Sequence, residues 1–452
     1  MNALKKFASV FLFFSILQGI AVRGQNAAPK SELTKAESSA DKYVDQNIGK
    51  TADELVAMAL LKNHELEAIR REVDASAAMI KQADLRANPM LEVGAAKNPF
   101  NPSKSVMVKG SLPLELYGRR GARVDVAEKE TAVRRADLEN RERLAAADVR
   151  AKFGETVALA LKLKFIEEIL SIATQNYELI AARVREGKNA PLEQNMELVE
   201  LNRIRALRES SEGKVEISMF ELKNMIGISS EENLVLKDNF ADLLEPLAPQ
   251  ITALEFALQN RPDLKTVREI ENLADAQIKQ AKIQGKLDAS VSAGYERMRQ
   301  GFPQRGFDAD GSLTQISELA NVFSVGVTLN LPVFDRNQGA VEAGILSRDA
   351  AANRVEFGEL TVKREVFSSY SRYQRAARAM EIFRVGVEDQ AEVNVDVVRQ
   401  SFELGSKSLL DYISEQRRFI EINESYIDIQ LETYLARVEV LKATASPELV
   451  KK

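Results

Sequence analysis

Ile80-Lys81-Gln82-Ala83 and Ile278-Lys279-Gln280-Ala281 are the same four residues, 198 positions apart. The match extends on both sides. Ala59-Leu60-Leu61-Lys62-Asn63-His64-Glu65-Leu66 aligns at that offset with Ala257-Leu258-Gln259-Asn260-Arg261-Pro262-Asp263-Leu264. Ser111-Leu112-Pro113-Leu114 aligns with Asn330-Leu331-Pro332-Val333 at an offset of 219. Val184-Arg185-Glu186-Gly187 aligns with Phe402-Glu403-Leu404-Gly405, and Leu192-Glu193 with Leu410-Asp411, at 218. The offset jumps once, between residues 95 and 111. The chain therefore reads as a duplication whose second copy carries an extra loop of about 20 residues.

Each copy repeats one order of elements. An Ala-rich stretch comes first, residues 52–85 and 252–283, and reads as one helix. Two short alternating segments follow. In the first copy Leu91, Val93 and Ala95 are apolar around Glu92 and Gly94. Val106, Val108, Gly110 and Leu112 then alternate with Ser105, Met107, Lys109 and Ser111. In the second copy Ala289, Val291, Ala293 and Tyr295 alternate with Asp288, Ser290, Ser292 and Glu296. Phe323, Val325, Val327, Leu329 and Leu331 alternate with Ser324, Gly326, Thr328 and Asn330. Period two predicts strands, four per chain. One apolar and one polar face suit a membrane strand, with lipid outside and water inside. The same alternation suits a half-buried soluble sheet. Polar loops join the pairs over residues 98–103 and 301–318. Pro113 and Pro332, which cannot donate to a ladder, end them.

No proline occurs between Pro113 and Pro191, or between Pro332 and Pro447. Residues 119–183 alone predict a helix of about 100 Å. In the last helix Ile413, Ile420, Ile427, Tyr434 and Leu441 recur every seven residues, with Leu409, Leu431 and Val438 completing a coiled-coil seam. Each long helix is broken once, at Gly187 and Gly405, and resumes after Pro191 or Leu409. These read as tight tips of helical hairpins.

Composition excludes most chemistry. The 452 residues contain no cysteine and one histidine, His64, so thiolate sites and multi-histidine metal centres are impossible. A net charge of -5 argues against a nucleic-acid binder. No internal run reaches the 18 or so apolar residues of a spanning helix. The chain does start with Lys5 and Lys6, an apolar run over 7–20 and small residues ending at Gly24. That pattern reads as a secretory signal over 1–24, the alternative being a membrane anchor. The expected organisation is then a linker over 25–50, a first repeat over 51–235, a linker over 236–250, a second repeat over 251–445 and a tail over 446–452. The fold class is mainly α, with long coiled-coil hairpins and a transmembrane β-barrel part. Four strands cannot close a barrel, and an open edge is not tolerated in lipid, so several chains must combine.

The chain resembles the outer-membrane efflux protein family, the TolC-like channels, from about residue 51 to 445. The resemblance rests on Asn260-Arg261-Pro262-Asp263-Leu264, on the stretch from Leu331 to Gly339 and on the stretch from Phe402 to Asp411. Phe334-Asp335-Arg336-Asn337-Gln338-Gly339 is most similar to the heavy-metal efflux (CzcC-type) branch. The resemblance implies a homotrimer with a twelve-stranded barrel in outer-membrane lipid and a twelve-helix periplasmic tunnel. It also implies a periplasmic adaptor and an inner-membrane pump of the RND type, and no enzyme activity or cofactor. Heavy-metal cations are the implied cargo, with drug efflux or type I protein secretion as alternatives. A periplasmic coiled-coil adaptor or scaffold is the alternative of another class.

In similar channels a Tyr, an Arg and ring-forming Asp residues hold the tunnel tip shut. Phe402 stands at the Tyr position, Lys407 at the Arg position and Asp411 at the first Asp position. Ser414, followed by Glu415, stands at the second. Phe402 lacks the hydroxyl, and Lys407 cannot make the bidentate contact of arginine. A ring of three Asp411 carboxylates would attract cations. The plain reading is a helix-start acid. The expected adaptor contacts are Arg185, Glu186, Gly187 and Lys188 in one tip and Leu404, Gly405, Ser406 and Ser408 in the other, against plain solvated turns. His64-Glu65 lacks the second histidine of a zinc helix, because position 68 is Ala68. Asp308-Ala309-Asp310-Gly311 lacks the rest of a calcium loop. Arg119, Arg120 and Arg123 read as an anchor at the membrane boundary.

Overall fold

A computed structural model describes residues 39–101, 103–237 and 247–450. The expected signal segment lies outside them. The first copy comprises α1 (Ala52–Lys62), α2 (His64–Ala83), β1 (Met90–Lys97), β2 (Lys104–Pro113), α3 (Arg119–Arg185) and α4 (Pro191–Ile226). The second comprises α5 (Gln250–Asn260), α6 (Pro262–Gln284), β3 (Asp288–Phe307), β4 (Leu313–Asn330), α7 (Gln338–Phe383), α8 (Asp389–Glu403) and α9 (Leu409–Thr444).

Each Ala-rich stretch is two helices rather than the expected one. The Asn63 side chain accepts hydrogen bonds from the N–H groups of Glu65 and Leu66 at 2.8 and 3.1 Å, which starts α2 afresh. Its amide also donates to the Met225 carbonyl at 2.9 Å, tying the break to the end of α4. In the second copy Pro262 opens α6, where its missing N–H costs nothing. Arg261 is 3% exposed. It donates to the Ala443 carbonyl and to Asp263 at 3.0 Å each, and pairs with Glu365 at 2.7 Å. The Asn-Arg-Pro-Asp-Leu stretch thus clamps α6 to α7 and α9.

The four strands form one antiparallel sheet in the order β1-β2-β3-β4. The expected loop over 301–318 is mostly strand. β3 and β4 have 20 and 18 residues against 8 and 10 in β1 and β2. A ladder satisfies backbone groups whatever the side chains carry, so polar residues do not end it. A register shift between Gly301 and Arg305 breaks the alternation there. The turn is confined to the tip, where the Asp308 side chain accepts from the N–H groups of Asp310 and Ser312 at 3.1 and 3.0 Å. That is an Asx turn.

α3 runs unbroken for 67 residues. Its counterpart in the second copy is divided by a π-helical segment, Arg384–Glu388, between α7 and α8. The α9 seam packs as the seven-residue spacing requires: Ile413, Ile420, Ile427 and Leu441 are buried. Tyr434 lies over Gly154 of α3, where a Cβ would stand 2.4 Å from a ring carbon. Leu55, Leu60, Leu163, Leu222 and Leu441 share one core. Leu264, Val362, Val366 and Val440 share another. Two smaller clusters follow towards the tips, Ile166, Leu201 and Ile420 in one and Ile180, Tyr412 and Ile413 in the other. Among the described residues no helix is long and apolar enough to cross a membrane.

Candidate functional site

Both hairpin tips fold by one local rule. Gly187 and Gly405 have φ of 71° and 75°, a region that residues with a Cβ disfavour. In the first tip Lys188 N–H donates to Arg183 O at 2.9 Å and Gly187 N–H to Val184 O at 3.0 Å. In the second, Ser406 N–H donates to Ser401 O and Gly405 N–H to Phe402 O, both at 2.9 Å. These are Schellman closures, which satisfy the last carbonyls of α3 and α8. Lys188 pairs with Glu186 at 2.7 Å. Arg185 folds back on its own helix, donating to Ala181 O at 3.4 Å. Leu404 is 85% exposed at the end of the second tip.

Asp411 sits in the first turn of α9 as half of a capping box. Its N–H donates to Ser408 Oγ at 3.2 Å, and its Oδ2 accepts from Ser408 N–H at 3.0 Å. The hydrogen bonds from Ser408, side chain first, hold its carboxyl below the usual range, and the Lys407 charge adds to this. Ser414 bonds back to Leu410 O at 2.8 Å. Glu415 lies half-exposed one turn beyond Asp411. Phe402 is half-buried and stacks on Tyr412, with centroids 6.0 Å apart and planes 9° from parallel. In one chain, then, Asp411 and Ser408 act together, Phe402 turns to Tyr412, and Lys407 stays exposed.

Sequence reading missed a polar layer between the two apolar clusters near the tips. Tyr412 Oη accepts from Asn176 Nδ2 at 2.8 Å. Glu200, 1% exposed, accepts from Arg203 Nε at 2.9 Å and from Arg417 at 2.6 and 3.0 Å. Burial pushes its carboxyl up, but the two guanidinium groups outweigh that and leave it below the usual range. Glu197 and Gln416 are 1% and 2% exposed. Both Glu197 oxygens and Gln416 Oε1 lack a hydrogen-bond donor among the described residues. Burial, with repulsion from Glu200, pushes the Glu197 carboxyl up to about 7. The signal was available: Glu197 keeps helical step with Leu201 and Ile204, which marks an acid on an apolar stripe.

At the sheet, the Arg cluster expected at the membrane boundary is tied within the chain. Arg120 pairs with Asp84 at 2.7 Å, Arg123 pairs with Glu115, and Arg119 donates to Lys286 O at 2.7 Å. Val108 and Val327 are 41% and 63% exposed on the apolar face. His64 is exposed on α2. Among the described residues no three His, Asp or Glu side chains form a metal-holding group.

This architecture, paired long hairpins carrying a small sheet, is matched by known proteins. The family described as "Outer membrane efflux protein" matches residues 55–227 and 253–446, one stretch for each copy. The chain belongs to this family. This outer membrane efflux protein is 23% identical over 394 residues to the cobalt-zinc-cadmium resistance protein CzcC of Cupriavidus metallidurans, covering 86% of this chain and 88% of that one. It is 25% identical over 292 residues to the nickel and cobalt resistance protein CnrC of the same species, covering 63% and 64%. The crystal structure of CusC superposes with a TM-score of 0.71 at 15% identity, over 88% of this chain and 92% of that chain. The open-state MtrE outer membrane channel of Neisseria gonorrhoeae gives 0.69 at 14%, over 89% of each. The efflux protein therefore has the fold of these channels and is a protein of the outer membrane, with its helices in the periplasm.

Proposed function

We propose that this efflux protein is the passive exit duct of a tripartite system. It passes heavy-metal cations that an RND-type inner-membrane pump delivers through a periplasmic adaptor. One observation carries the reading: among the described residues the sheet is apolar on one face yet open at both edges, since β1 pairs only with β2 and β4 only with β3. In lipid such edges must find partners. Three copies supply twelve strands, an even number within the range of outer-membrane barrels. Their hairpins then continue the barrel as a tunnel of helices.

In this reading residues 1–24 direct export, 51–235 and 251–445 are the repeats, and 25–50, 236–250 and 446–452 are linkers and tail. Asp411 lines the constriction, with Phe402, Lys407 and Glu415 beside it. The adaptor packs on Arg185, Glu186, Gly187 and Lys188 and on Leu404, Gly405, Ser406 and Ser408, where exposed Leu404 offers apolar area. The metals named in the relatives' descriptions support the cargo. The test is a deletion strain. It should lose tolerance to cobalt, zinc or cadmium and regain it with the full chain. Loss of tolerance to dyes alone would favour drug efflux, and loss of a secreted protein alone would favour secretion.

A further inference from the structure

Directly paired residues of neighbouring strands share a face, so the register sorts the sheet into rows. On β3, Val291, Ala293, Tyr295, Arg297 and Arg299 are exposed, whereas Ser292 is buried and Gly294, Glu296 and Met298 are half-buried. The same face starts beside the helices with buried Ala289 and exposed Leu329, then Leu112, Val291 and Val327. The next rows are Leu91, Gly110, Ala293 and Val325, then Val93, Val108, Tyr295 and Phe323. Up to this height every side chain is apolar except for the Tyr295 hydroxyl, which donates to Asn321 Oδ1 at 2.8 Å. The character then changes. Arg297 lies in the row of Val106 and Asn321, and Lys97, Lys104 and Arg299 stand side by side in the row after it.

Two features set these cations apart. Among the described residues none of their side chains is in an ion pair or a side-chain hydrogen bond. On the opposite face the cation Lys109 has Glu92 directly across from it in the register, whereas no acid stands across from any of these four. Height is the second feature. Ten residues separate Ala289 from Arg299. At about 3.3 Å per residue and a tilt of about 40°, this is about 25 Å along the membrane normal, the height of a barrel's apolar band. The helices leave from the Ala289 end, so the cations stand at the outer boundary, above the aromatic pair Tyr295 and Phe323.

We propose that Lys97, Lys104, Arg297 and Arg299 bind the phosphate groups of an anionic glycolipid in the outer leaflet. Guanidinium forks suit phosphate bidentately, and the lysines add compact charge. The apolar rows below receive the acyl chains. This rests on the barrel reading above, in which the exposed face meets lipid.

The test uses the full-length protein purified in detergent and native mass spectrometry, with three probes: lipid A bearing two phosphates, its dephosphorylated form, and inorganic phosphate. The wild type should retain the phosphorylated lipid at least tenfold better than the dephosphorylated one, and millimolar inorganic phosphate should not displace it. The double variants Lys97→Gln/Lys104→Gln and Arg297→Gln/Arg299→Gln should each lose most of that preference. Lys97→Arg/Lys104→Arg should keep it, and so should Lys109→Gln on the opposite face. Equal retention of the two lipids by the wild type overturns the proposal without recourse to any variant. So does displacement by inorganic phosphate. Vesicle flotation separates the two failures: protein that inserts but does not discriminate sinks the lipid row alone, and protein that does not insert sinks the barrel reading with it.

Discussion

Arg417 on α9 donates two hydrogen bonds to a single oxygen of Glu200 on α4, at 2.6 and 3.0 Å. The pair joins the hairpin of one copy to the hairpin of the other, at the level where Glu197 and Gln416 are also buried. Removing one side leaves a buried carboxylate with Arg203 alone. Arg417 is half exposed, which discounts the pair. Arg417→Ala should therefore cost about 1–3 kcal/mol in chemical unfolding of the purified assembly. A double-mutant cycle with Glu200→Gln should recover part of that cost. Strict additivity would mean that the contact contributes nothing.

Glu197 gives the chain a pH dependence of definite sign. Folded, it holds its proton up to about pH 7; unfolded, it releases it near the ordinary 4.5. Between those values the folded state binds more protons, so stability falls as pH rises from about 4.5 to about 7 and then levels off. The titratable groups that interact with it are Glu200 on α4 and Tyr412 on α9. The upper bound on the effect is about 3 kcal/mol. Unfolding measured at pH 5, 6, 7 and 8 should show the slope, and Glu197→Gln should flatten it. An unchanged slope in the variant assigns it to another group.

The register makes the sheet faces testable. Val108 and Val327 lie in apolar rows, and Ser111 and Thr328 on the opposite face. Lysine at either valine should cost roughly 2–4 kcal/mol in refolding into vesicles. Lysine at Ser111 or Thr328 should change little. If all four substitutions behave alike, the sheet does not span lipid.

At the tip, capping and pore charge can be separated. Divalent cations added on the periplasmic side should block conductance in planar bilayers. Asp411→Asn should weaken that block sharply. Ser408→Ala removes the hydroxyl that bonds Asp411 but keeps the carboxylate, so block should persist while α9 frays at its start. Glu193→Gln, whose side chain is held by Asn189 at 2.6 Å, should leave block intact. Retained block in Asp411→Asn would leave Asp411 as a capping residue alone.

Much of the fold was legible because it rests on local rules. Gly187 and Gly405 signal turns, and Val325, Val327 and Leu329 declare a face by alternation alone. The breaks at Asn63 and Arg261 were harder, because Asn63 acts by capping and Arg261 by reaching α7 and α9. The outer half of the long hairpin was read as loop, since polar residues and a register shift hide the ladder between Gly301 and Phe307. The π-helical segment Arg384–Glu388 left no pattern that we recognise. In the tip region the turn glycines stand out in the sequence. The layer around Glu197 does not, because its meaning depends on which neighbours bury it.

The unequal hairpins have one more effect. In the proposed trimer, β4 of one subunit meets β1 of the next, yet β4 is 18 residues long and β1 only eight. The upper part of each long hairpin then rises past its neighbour with a free flank. Viewed from outside the cell, the mouth is a crown of three posts and three notches. An antibody or phage approaching it would touch the second copy of the duplication first, at the turn residues Asp308 to Ser312 of the post tips.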